Sequence, residues 1–107
     1  MSTEKIRTLN DQLRKHGTGG KIVLTQGVQA LGEEAIIQLM ILLQCHDDFP
    51  EGDDPYGEHD FGTIKHDGHK LFFKFDYYDL AYQMHSPDAA DPKLTNRVLT
   101  LMLAEEY

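Results

Sequence analysis

The chain has 107 residues, and its 18 acidic against 10 basic side chains give a formal net charge of −8 at pH 7. This length fits one domain over residues 1–107, and the acidic balance argues against direct binding to nucleic-acid phosphates. The longest apolar run, 35–43, is too short to cross a membrane, and the first residues carry no secretory signal. A single cysteine cannot form an internal disulfide, which fits a reducing compartment. We therefore expect a cytoplasmic protein.

The first half of the chain is predicted to form a helix, a strand and a second helix. Apolar residues at helical spacing predict a helix over 4–16, and the short β-branched segment 21–25 predicts a strand. The second helix is predicted over 33–45, where Gln38 interrupts an otherwise apolar run. A helix that is apolar nearly all round is either central to the core or covered by a partner. The stretch between Ile36 and Leu43 therefore allows a homodimer.

The second half is predicted to contain a loop, a hairpin and a final helix. Pro and Gly in the acidic run 46–62 predict a loop, and alternating residues around Asp67 and Gly68 predict a β-hairpin over 61–79. A loop over 79–92 and a helix over 92–105 complete the chain. The elements predict a small α+β fold in the order α-β-α-β-β-α, in which three helices pack on a short antiparallel sheet containing the hairpin.

The charge of the chain is concentrated in the acidic run. Between Lys21 and Lys65 there is no basic residue, and seven acids crowd into 46–62. Their mutual repulsion destabilises the folded chain unless a cation, a basic partner or simple solvation relieves it. The sequence does not decide whether this loop is ordered. The acids are Asp47, Asp48, Glu51, Asp53, Asp54, Glu58 and Asp60.

One interpretation is that these seven acids bind a basic protein. Phosphates along one nucleic-acid strand are about 7 Å apart, close to the i, i+2 spacing of an extended chain. The acids could therefore imitate a nucleic-acid backbone and occupy the groove of a basic nucleic-acid-binding protein or complex. This interpretation requires no catalytic residue and no cofactor.

The alternative interpretation is a divalent-metal site or a metal-dependent hydrolytic domain, formed by His46, Glu58, His59 and Asp60. Imidazole combined with carboxylate suits zinc, manganese or iron. Glu58 and Asp60 would also lie on the same side of an extended segment, about 6–7 Å apart, where two carboxyl groups can share acid and base roles. The residues do not decide whether the protein is an enzyme, and we prefer the non-catalytic interpretation.

Several segments of the chain resemble a small bacterial family known as domain of unknown function 3768. The resemblance lies in DPYGEHDFG (54–62), KFDYYD (74–79), SPDAADP (86–92) and VLTLMLAEEY (98–107), and it extends to residues 6–28. It implies a bacterial or mobile-element setting and supplies no catalytic residues. Small acidic proteins of mobile DNA are often inhibitors of host defence. We therefore expect an anti-CRISPR-like or anti-restriction inhibitor of a nucleic-acid-handling complex.

Overall fold

The computed structural model describes residues 2–107 and confirms the α+β class. Within that range the helices are α1 (Ser2–His16), α2 (Gln26–Gln29) and α3 (Glu33–Cys45). The strands are β1 (Lys21–Leu24), β2 (Phe61–His66), β3 (His69–Tyr78) and β4 (Asn96–Leu103), and a short 3-10 turn follows at Ala104–Glu106. The predicted helix over 92–105 is wrong, because most of that segment is β4.

The strands form one sheet in the order β1-β4-β3-β2. β3 is antiparallel to both β2 and β4, whereas β1 is parallel to β4, so the sheet is mixed rather than antiparallel throughout. The predicted hairpin is confirmed. Asp67 and Gly68 have φ angles of 50° and 80°, as the type I′ turn between β2 and β3 requires.

β4 is a strand because it lies between two others. It pairs with β1 on one side and with β3 on the other, so its backbone groups are satisfied along both edges. Leu99 and Leu101 are buried on the face that the helices cover, and Met102 is buried on the opposite face. A central strand of this kind is apolar in a nearly continuous run, which local sequence cannot separate from a buried helix.

The core lies between the helices and one face of the sheet. Leu13 of α1 and Leu39 and Leu43 of α3 are fully buried against sheet residues such as Phe73 and Leu101. Burying each of these side chains stabilises the fold by about 1.5–3 kcal/mol. Thus α3 is a core helix along one side.

The opposite side of α3 faces solvent. Ile37, Ile41 and Leu42 are exposed, so this apolar surface is uncovered in the single chain. The homodimer through this helix stays a prediction. Among residues 2–107, no helix combines the length and the apolar character that crossing a membrane requires.

Candidate functional site

The segment 46–60 between α3 and β2, hereafter the acidic loop, is fastened to one face of α1. Nη1 of Arg7 donates to the carbonyl oxygen of Gly57 (2.9 Å), and Nδ2 of Asn10 donates to that of Glu58 (3.1 Å). Nη1 of Arg14 donates to the carbonyl oxygen of His46 (2.7 Å). Donors three and four residues apart share a helix face. The acidic loop is therefore held at both ends, in a defined conformation.

Arg14 is the buried part of this attachment, with its side chain only 1% exposed. Besides His46, it donates to the carbonyl oxygen of Leu43 (3.0 Å) and to Oδ1 of Asp11 (3.1 Å), and its guanidinium lies over the ring of Phe49. A buried charge is costly unless it is hydrogen-bonded, and these bonds offset that cost. Arg14 therefore joins the end of α3 and the start of the acidic loop to α1.

Asn10 connects the acidic loop to the sheet. Its Nδ2 also donates to the hydroxyl oxygen of Tyr77 on β3 (2.8 Å), and its Oδ1 accepts from Nε of Arg97 on β4 (2.7 Å). Arg97 is 2% exposed, lies over the ring of Tyr77 and donates to the carbonyl oxygen of Ala89. Burial raises the pKa of Tyr77, so it remains a neutral phenol. This network ties the acidic loop to the central strand.

Asp54 is a structural member of the acidic loop. Its side chain is buried, and its Oδ1 accepts from the backbone N–H groups of Glu58 (2.9 Å) and His59 (3.2 Å). These bonds close the turn in which His59 adopts a left-handed φ of 55°. Of the seven acids predicted to bind a partner, Asp54 is thus turned inward.

The two histidines of the alternative metal site contact protein groups instead. Nδ1 of His59 is 2.9 Å from Oδ1 of Asp11, and its ring stacks on Phe49 at a centroid distance of 3.9 Å. Nε2 of His46 is 2.7 Å from the carbonyl oxygen of Asp48, and burial lowers the pKa of His46 despite that bond. Within residues 2–107, no three His, Cys, Asp or Glu side chains are grouped so as to hold a metal. The structure therefore does not bring the predicted set His46, Glu58, His59 and Asp60 together as a metal centre.

The other six acids of the acidic loop are at least partly accessible to solvent. Three of them, Asp47, Asp48 and Glu51, are exposed, and the rest are half-buried. One of the half-buried three, Asp53, accepts a hydrogen bond from the hydroxyl of Thr63 (3.1 Å). In the described part of the chain, no basic side chain forms an ion pair with any of the six, which are Asp47, Asp48, Glu51, Asp53, Glu58 and Asp60.

Glu58 and Asp60 show the effect of burial and crowding on these charges. Burial raises the pKa of Glu58, and the nearby carboxylates of Asp60 and Asp54 raise it further. Burial also raises the pKa of Asp60, and Asp54 adds to this shift, while a backbone hydrogen bond and His59 oppose it. Ionising either group is therefore harder in the folded chain than in water. A cation placed beside them would favour the ionised forms.

Sequence reasoning missed the side chains that fix the acidic loop, although a signal for them was present. Arg7, Asn10 and Arg14 recur at helical spacing within the predicted first helix, on a face that also carries the core residue Leu13. Polar side chains beside an apolar stripe indicate a buried or half-buried polar contact. The sequence does not reveal which loop they meet.

The fold and this site define a small α+β protein with an acidic loop fastened to its first helix. A model of the family described as protein of unknown function (DUF3768) matches residues 24–106, and the chain belongs to that family. The predicted family is confirmed over residues 24–106, and the part of the resemblance at residues 6–23 lies outside the match. Neither a curated protein nor a solved structure matches the chain.

Proposed function

We propose that this protein binds and inhibits a basic nucleic-acid-handling defence complex, in the manner of an anti-CRISPR or anti-restriction protein, and that the acidic loop makes the contact. The observation that carries this proposal is that six carboxylates lie on a loop held by α1, with no ion pair to any of them within residues 2–107. A fixed array of negative charge is complementary to a fixed array of basic residues, such as those lining a nucleic-acid groove.

The anchoring of the loop favours tight binding. A loop that is already fixed loses little conformational entropy when it binds, so less of the interaction free energy is offset by ordering. The net charge of −8 also steers a basic partner towards the protein and increases the association rate. The same charge repels nucleic acid itself, so the proposed partner is a protein. Because such complexes act on DNA or RNA inside the cell, the proposal requires a cytoplasmic protein.

The raised pKa values of Glu58 and Asp60 support the same proposal. Basic groups of the partner would lower both pKa values, so binding would be coupled to proton release. Binding should therefore weaken as the pH falls through the pKa values of the free protein. A neutral or acidic partner would not produce this dependence.

The proposal is tested by the plating efficiency of an unmodified phage on bacteria that carry a type I restriction system or a CRISPR system. Expression of the protein should raise the plating efficiency at least tenfold on one of these hosts. The loop variant should lose this effect, and a control variant with the same change of charge on exposed acids elsewhere should keep it. The loop variant is Asp47→Lys, Asp48→Lys, Glu51→Lys, and the control is Glu33→Lys, Glu34→Lys, Glu105→Lys.

Two results would contradict the proposal. One is that the wild-type protein changes plating on neither host. The other is that the loop variant protects the phage as well as the wild-type protein does, which would remove the acidic loop from the activity.

A further inference from the structure

The segment 78–85, which begins at the last residue of β3 and is hereafter called the apolar loop, presents large apolar side chains to solvent. Leu80 is 60% exposed and Met84 is 72% exposed, and Tyr78 and Tyr82 beside them are also exposed. Scattered exposed apolar residues are ordinary, but several on one short loop are typical of a protein-interaction surface. Aromatic residues and Met are enriched in such interfaces.

The apolar loop has a defined backbone. The N–H of Asp79 donates to the carbonyl oxygen of Met84 (2.8 Å), and the N–H of Gln83 donates to Oδ1 of Asp79 (3.0 Å). From β4, Nδ2 of Asn96 donates to the carbonyl oxygen of Asp79 (3.1 Å). Tyr82 adopts a left-handed φ of 57°, which is unfavourable for an aromatic residue. The exposed apolar side chains therefore project from a closed and partly strained loop.

The apolar loop and the acidic loop adjoin the same part of β3. The N–H of Phe75 donates to the carbonyl oxygen of Asp60 (2.9 Å), where the acidic loop ends. Tyr78, at which the apolar loop begins, lies three residues further along the strand, or about 10 Å. Tyr78 and Met84 also line a cleft of about 290 Å³, together with Asp76. Asp76 itself is ion-paired with Lys74 (3.1 Å), and Nζ of Lys21 lies over the ring of Tyr82. The negative charge that adjoins the apolar surface is therefore that of the acidic loop at Asp60.

We propose that the apolar loop is the anchor of the interface assigned above to the acidic loop, and that it docks into an apolar groove on the basic partner. This inference rests on the proposed function and specifies the partner further, as a basic surface with an apolar groove beside it. The net charge of the chain favours a basic partner over a second copy of the chain. Two copies would each bring a charge of −8 and a set of uncompensated acids to the contact, whereas a basic partner offers the opposite charge.

The two loops should contribute differently to binding. Charges at the rim of an interface mainly change the association rate, whereas buried apolar anchors mainly change the dissociation rate. Leu80 and Met84 should therefore control how long the complex lasts. The acidic loop should control how fast the complex forms and how strongly it depends on salt.

The test uses two peptides of equal positive charge, decalysine and an amphipathic peptide of ten lysines and ten leucines, titrated into the ¹⁵N-labelled protein. Decalysine should shift the amide resonances of residues 46–60. The Lys/Leu peptide should also shift those of 78–85 and bind at least tenfold more tightly. The variant Leu80→Ser, Met84→Ser should reduce its affinity to that of decalysine. The matched control on exposed residues of α3, Ile37→Ser, Ile41→Ser, should bind it as the wild-type protein does.

The outcomes separate this inference from the proposed function. If decalysine shifts 46–60 but the Lys/Leu peptide leaves 78–85 unchanged, or binds the Leu80→Ser, Met84→Ser variant normally, the inference is overturned and the acidic-loop proposal stands. Loss of affinity in the α3 control instead would place the apolar contact on α3 and would also overturn the inference. If decalysine does not shift 46–60, the proposed function fails, and the inference that rests on it fails too.

Discussion

Replacing Asp54 with Ala should destabilise the protein more than a substitution in an exposed acidic run would suggest. The carboxylate accepts two backbone hydrogen bonds, at 2.9 and 3.2 Å, and its side chain is 2% exposed. In Asp54→Ala, the N–H groups of Glu58 and His59 lose their acceptor. The turn that shapes the acidic loop would lose the interactions that close it.

The expected loss follows from the geometry. A hydrogen bond to a charged group contributes about 1.5–3 kcal/mol, so two would contribute about 3–6 kcal/mol if their donors were fully buried. Glu58 and His59 are half-buried, and water can replace part of each bond, which reduces the expected loss to about 2–3 kcal/mol. For a domain of this size, such a loss lowers the melting temperature by about 10–20 °C. Asp54→Asn keeps an acceptor oxygen and should cost less than half as much.

Thermal and urea unfolding measure this loss, and amide hydrogen exchange locates it. Exchange at Glu58 and His59 should accelerate in Asp54→Ala more than exchange at core strand amides such as that of Leu101. A melting temperature within 3 °C of wild type, with unchanged exchange at Glu58 and His59, would refute the assignment of Asp54 as the group that closes the turn.

Three further predictions concern titration, buried charge and turn geometry. In the folded protein the pKa values of Glu58 and Asp60 lie above their ordinary 4.5 and 3.8. At pH values between the ordinary and the raised pKa, the folded chain therefore binds more protons than the unfolded chain, and the free energy of unfolding falls as the pH rises. Glu58→Gln with Asp60→Asn should remove this fall and stabilise the protein at pH 7 in urea titrations run from pH 4 to 7; an unchanged pH slope would contradict it. Arg97→Met removes the donor to Oδ1 of Asn10 and should lower the free energy of unfolding by about 2–4 kcal/mol. A loss under about 1 kcal/mol would be evidence against the buried network. Gly68→Ala should lower the free energy of unfolding by about 1 kcal/mol, because φ at this position is 80°. A steric clash cannot account for the loss, since nothing in residues 2–107 lies within 4 Å of the added Cβ. An unchanged melting temperature would count against the type I′ turn.

The elements predicted correctly from sequence are those whose signals are local. The hairpin is specified by Asp67 and Gly68 and by the alternation around them, α1 by apolar residues at helical spacing, and α3 by its nearly continuous apolar run. The prediction of a helix over 92–105 failed because the signal for β4 is not local. Val98 to Leu103 is nearly all apolar, and only pairing with β1 and β3 determines that it is extended.

The candidate site shows the same division between local and distant information. Composition located the acidic loop and its charge. It could not distinguish the buried Asp54 from the exposed Glu51, because that depends on how the loop folds back on itself. Arg14 and Arg97 look like ordinary surface charges in the sequence, yet they lie among the most buried side chains. Arg14 donates to the carbonyl oxygens of Leu43 and His46, and Arg97 donates to Asn10, and no local pattern records contacts at such separations.

The pairing of β1 with β4 imposes an order on folding during synthesis. Residues 21–24 leave the ribosome well before their strand partner, residues 98–101. The hydrogen bond from Nε of Arg97 to Oδ1 of Asn10 likewise joins an early and a later part of the chain. Contacts between distant parts of a chain form late and slow the folding reaction. Until residues 97–101 have been made, a nascent chain would therefore lack both the β1–β4 pairing and the Asn10–Arg97 hydrogen bond, through which the attachment of the acidic loop is connected to the sheet.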